Sequence, residues 1–64
     1  MRHTEFWSRL DDALGRAYSR TWAELTVVRE LDGRTTQEAL DAGVPPKQVW
    51  AAVWRHLELP ERYR

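Results

Sequence analysis

The chain has 64 residues, enough for one core and no second domain. Its ten basic and ten acidic side chains cancel, and it has no cysteine. That excludes disulfide staples, thiolate metal centres and an overall pull toward nucleic acid or anionic lipid. Nine of the ten basic residues are arginine, with Lys47 the single lysine.

In chain order, Thr4 is placed to cap a first helix over about 5–15, with Glu5 at its positive end. Phe6, Leu10, Leu14, Ala17 and Tyr18 share one face, with Trp7 beside them. Glu5–Arg9 and Asp12–Arg16 stand in the favourable i,i+4 order. Gly15 ends or bends this helix. Thr21 and Glu24 have the capping-box spacing, which predicts a second helix over about 22–31 carrying Trp22, Leu25, Val28 and Leu31. Asp32-Gly33 stops it. No strand signal, internal repeat or low-complexity segment is visible.

The clearest local signals lie between Thr35 and Leu57. Thr35 and Glu38 form another capping-box spacing, opening a short helix over about 36–42 that carries Ala39 and Leu40. Gly43 is the residue that takes a left-handed stop at least expense. Pro45 and Pro46 cannot lie inside a helix, but a proline suits the first position of a new one. From there Val49, Trp50, Val53 and Leu57 recur at helical spacing over about 46–58. Pro60 ends it, leaving a polar tail over 60–64 that is expected to fray. The expected architecture is an all-α domain of four helices whose last two form a helix-turn-helix-like pair. The expected core joins Leu40, Val49, Trp50, Val53 and Leu57 to Leu10, Leu14, Trp22, Leu25 and Val28. A chain this short buries only about 60% of the surface it exposes when unfolded. Its aromatic residues, each able to bury roughly 150–250 Å², are the natural compensation.

No catalytic arrangement stands out. His3 and His56 lie at opposite ends of the chain, and no His-x-x-x-His pair exists. His56 near a helix end is explained by the helix dipole. Asp11-Asp12 are helical neighbours that point apart. No glycine-rich loop cradles phosphate. The chain is therefore expected to be non-enzymatic, with no metal and no cofactor. No apolar run approaches the ~20 residues of a membrane span and no signal-peptide pattern opens the chain, so no membrane partner and a soluble, cytoplasmic location are expected.

Two binding readings are open. The spacing of Ala39, Gly43 and Val49 resembles that of DNA-binding helix-turn-helix units. In such units the second helix enters the major groove. The positions in contact would include Pro45, Pro46, Lys47, Trp50, Ala51 and Trp54, of which only Lys47 offers a donor of the usual kind. Between Thr35 and Glu58 there are two basic residues, Lys47 and Arg55, against Glu38, Asp41 and Glu58. This disfavours phosphate contacts. The favoured reading is a protein partner or self-association, through an apolar patch where Trp54 and Tyr63 meet, rimmed by Arg55 and Arg62. Trp54 falls at the rim of the helix's apolar face, where it either packs over the edge of the core or stands exposed as an anchor for the partner. A positive outer face on the last helix would favour DNA, and an uncharged one with an exposed Trp54 a protein.

A wider likeness runs through Met1-Arg2-His3-Thr4-Glu5-Phe6-Trp7, through Leu14-Gly15 with Tyr18 and Trp22, and through Gly33-Arg34-Thr35 with Glu38-Ala39-Leu40 and Gly43. It ends at Pro46-Lys47 with Val49-Trp50. Together these residues resemble the short actinobacterial proteins grouped as domain of unknown function 3046. The family has no established activity, and it supplies no functional residues. Its genes often stand beside those of the strand-pairing recombinase and of that recombinase's regulator. The resemblance thus implies an accessory role in DNA recombination and repair, with those two proteins as candidate partners.

Overall fold

The computed structural model describes residues 1–64. Four helices, α1 (His3–Leu14), α2 (Arg16–Leu25), α3 (Thr36–Asp41) and α4 (Pro46–His56), surround one core. Between α2 and α3 the chain makes β1 (Val27–Val28), a 3₁₀ turn over Arg29–Leu31, and β2 (Arg34–Thr35). A last 3₁₀ turn spans Glu61–Tyr63. The fold is all-α with one minimal antiparallel ladder, in which Val27 faces Thr35 and Val28 faces Arg34.

The first two helices differ in their bounds from the sequence reading. Helix α1 begins at His3, so Thr4 lies inside its first turn. Glu5 reaches back to accept from the Arg2 amide at 3.3 Å instead of pairing with Arg9. Gly15, at φ 89° and ψ 137°, both closes α1 and opens α2. Few other residues adopt that backbone. Because the break falls between them, Asp12 and Arg16 lose their i,i+4 relation. Ser19, fully buried, donates to Asp11 and fastens the first turn of α2 to the last turn of α1. The Thr21–Glu24 capping box does not form, since Thr21 is already mid-helix. At its other end α2 stops at Leu25, where the β-branched run Thr26-Val27-Val28 turns extended and pairs with β2.

These bounds redistribute the apolar residues. Leu25 is 74% exposed and Tyr18 54%, so neither belongs to the core, and Ala17 is also exposed. Val28 and Leu31 are buried as expected, but from the strand and the 3₁₀ turn rather than from a helix. Phe6, Leu10, Val49 and Val53 are fully enclosed, with Trp22, Ala23, Leu40, Trp50 and Ala52 around them. Leu14 and Leu57 pack at the margin. Phe6 meets Trp50 edge to face at 5.8 Å, which locks α1 onto α4, and meets its own neighbour Trp7 edge to face at 5.3 Å.

The α3–α4 unit follows its local signals. Thr35 Oγ1 accepts from the Glu38 amide at 3.1 Å, and Glu38 Oε1 accepts from the Thr35 amide at 2.8 Å. At the far end the Val44 amide donates to the Ala39 carbonyl and the Gly43 amide to the Leu40 carbonyl, both at 3.1 Å. This is the Schellman arrangement, with Gly43 at φ 91°. Ala39 and Val49 are both buried, giving a helix–tight turn–helix unit.

The same hydrogen bonds close α4, where the Leu59 amide reaches the Trp54 carbonyl and the Glu58 amide the Arg55 carbonyl. Here the left-handed position is held by a glutamate, Glu58 at φ 53°. The turn sends the tail back along α4 instead of leaving it frayed. Trp54 Nε1 donates to the Pro60 carbonyl at 3.1 Å and Trp50 Nε1 to the Tyr63 carbonyl at 2.9 Å. The indoles of α4 thus hold residues 60–63 as a strap.

Candidate cationic–aromatic groove

The strap and α1 leave between them a groove on the outer side of α4, a cleft of about 480 Å³. Its apolar surface comes from Met1, Ala51, Trp54 and the edge of Trp50. Its charges are Arg9, Lys47, Arg55 and Arg64 against one carboxylate, Glu5. Lys47 and Arg55 come from opposite ends of α4 and are exposed. Arg9 comes from α1 and donates to the Arg64 carbonyl at 2.6 Å. The Arg64 guanidinium lies over the Trp54 ring at 5.3 Å and meets Glu61 at 3.4 Å. Stacked guanidinium and indole, with the indole N–H fixed to Pro60, leave Trp54 little freedom before any partner arrives.

The residues singled out from the sequence are divided by this geometry. Trp54 and Arg55 line the groove. Tyr63 instead packs half-buried against the core, and Arg62 sits over its ring at 5.0 Å. Lys47, Ala51 and Trp54, named for DNA contact, also face the groove. Trp50 does not qualify as a base-contacting residue. It is 3% exposed, held edge to face against Phe6, and its only donor is used by the strap. The cause lies in the tail, which folds over the face a recognition helix would need bare.

Charge counted along the α3–α4 segment also misleads. Glu38 and Asp41 belong to α3 and do not line the groove, while Arg9 and Arg64 join it from distant parts of the chain. The resulting face is positive, although the segment from Thr35 to Glu58 counts as net negative. A second, shallower depression lies on α1 and α2, where Arg20 stacks on Trp7 at 3.9 Å above Asp11 and Asp12. His56 Nδ1 stands 3.4 Å from Glu30, tying the end of α4 to the first 3₁₀ turn. No three histidine or acidic side chains converge on one point. No helix is long and apolar enough to cross a membrane.

The fold and its groove define a small helical domain with a preformed cationic–aromatic surface. The chain belongs to the family described as protein of unknown function (DUF3046), whose model matches residues 1–62. No curated protein and no solved structure matches it.

Proposed function

We propose that this protein is a non-enzymatic, cytoplasmic protein-interaction module, accessory to DNA recombination, whose contact surface is the groove on α4. The observation that carries the reading is Trp54, half-buried and held by Pro60 and Arg64, in a cleft edged by arginines. Tryptophan and arginine dominate binding hot spots, and a side chain already ordered loses little entropy when it binds. The gene neighbourhood that the family resemblance implies makes the recombinase and its regulator the first partners to test.

A photo-crosslinking amino acid placed at Ala51, which is exposed in the groove, tests the proposal directly in cells. An adduct removed by protease and resistant to nuclease supports it, with a probe at Leu25 on α2 as the control. Trp54→Ala should weaken the contact by about 1–2 kcal/mol or more.

The positive charge of the groove favours a second reading, weak DNA binding by the helix-turn-helix-like unit. Lys47 and Arg55 would then meet phosphates at ordinary non-specific affinity, ~10⁻⁴–10⁻⁶ M. An adduct at Ala51 removed by nuclease would establish that reading in place of the first.

A further inference from the structure

The spacing of charge along the groove specifies what it takes up. Lys47 lies in the first turn of α4 and Arg55 in the last. At 1.5 Å per residue they stand about 12 Å apart along the helix axis. Ala51 lies midway and Trp54 close to Arg55, so the apolar floor falls between the two cations. Neither Lys47 nor Arg55 makes a side-chain hydrogen bond or ion pair within the chain. Lys47 is further disfavoured by its place, a cation at the positive end of the helix dipole with no acidic residue in that turn. Both charges are therefore free to meet an anion from outside.

We propose that the groove binds an extended acidic peptide segment in which two carboxylates flank one large apolar side chain, in the order acidic–any–apolar–any–acidic. This rests on the protein-interaction reading and adds the chemistry of the partner. An extended chain rises about 3.3 Å per residue, so carboxylates four residues apart span about 13 Å and match the separation of Lys47 and Arg55. Residues i, i+2 and i+4 of such a chain face the same way. One edge therefore presents both carboxylates and the apolar side chain to the cations and to Ala51 and Trp54. Arg9 and Arg64 close the groove from the other wall, already engaged with each other and with Glu61. A nucleic acid fits less well, because single-strand binders present open aromatic faces for stacking and Arg64 already covers a face of Trp54.

The test uses short fluorescein-labelled peptides on the intact chain, read by polarisation. The probe is Glu-Ser-Leu-Ser-Glu flanked by serines. It is compared with an isomer whose two glutamates are adjacent and with a form carrying glutamine for glutamate. The spaced peptide should bind about tenfold more tightly than either, and raising salt from about 0.1 M toward 1 M should weaken it, as the Debye length shrinks from ~10 to ~3 Å. Lys47→Glu with Arg55→Glu changes two exposed side chains that hold nothing else, so it should keep its circular dichroism spectrum. It should lose the acidic peptide and gain Lys-Ser-Leu-Ser-Lys. Equal binding of spaced and adjacent glutamates, or no exchange of preference in the double variant, overturns the proposal. So does displacement of the peptide by a single-stranded oligonucleotide of equal charge. A protein adduct at Ala51 without binding of the spaced peptide would leave the interaction reading standing and remove only this partner chemistry. Absence of both would remove the groove itself as the contact surface.

Discussion

Gly43 and Glu58 hold the same position in two copies of the same helix stop, so exchanging their chemistry should move stability in opposite directions. Both sit at positive φ, 91° and 53°, and both are followed by a residue whose amide closes the helix. A Cβ built on Gly43 meets nothing within 4 Å. The penalty of Gly43→Ala is therefore backbone strain alone, roughly 1–2 kcal/mol for an L-residue held left-handed. The alanine chain also loses less entropy on folding, which returns about 0.4–1 kcal/mol. The net destabilisation should be about 1 kcal/mol, or a fall in Tm of about 4–8 °C for a domain near this size. Gly43→Asn should fall less, since asparagine tolerates this region, and Gly43→Val more. Glu58 carries no hydrogen bond or ion pair from its side chain and is exposed. Glu58→Gly should therefore leave Tm unchanged or raise it by a few degrees, as released strain outweighs the added chain entropy. Thermal melts followed by far-UV circular dichroism measure all four variants. A Gly43→Ala protein melting with the wild type, or a Glu58→Gly protein melting well below it, would show that these left-handed stops carry no such strain.

Leu10→Ala opens a cavity at a fully enclosed site and should cost about 2–5 kcal/mol, a large share of the ~0.05–0.15 kcal/mol per residue that domains possess, as urea titration would show. Thr35→Ala removes the oxygen that accepts from Glu38 and should lower stability by about 1 kcal/mol in the same titration. Thr36 Oγ1 is buried with no partner, so Thr36→Val should be neutral or stabilising, by up to about 1–3 kcal/mol; a clear loss would reveal a hidden partner for the hydroxyl. Trp54→Phe removes the donor to Pro60, and hydrogen exchange at the Leu59 and Tyr63 amides should quicken while the core amides stay protected.

The α3–α4 unit is the part of the fold legible in the sequence, because neighbours within a few residues set its features. The Thr35–Glu38 box, the stop at Gly43, the start of α4 at the prolines and its buried face of Val49, Trp50 and Val53 all rest on local backbone chemistry. The family likeness was legible for a similar reason, being carried by short runs of residues. Where α2 begins and ends depended on contacts made in the folded chain. A capping-box spacing at Thr21 was overridden once Gly15 reset the helix and Ser19 found Asp11, and Val27 and Val28 turned extended because Arg34 and Thr35 were there to pair with them. The groove was the least legible part. Arg9, Lys47, Arg55 and Arg64 become neighbours only when Trp50 and Trp54 fasten the tail to α4. Charge acts through space, whereas periodicity and capping act along the chain. A count taken along residues 35–58 therefore read as negative the region on which the fold assembles a positive face.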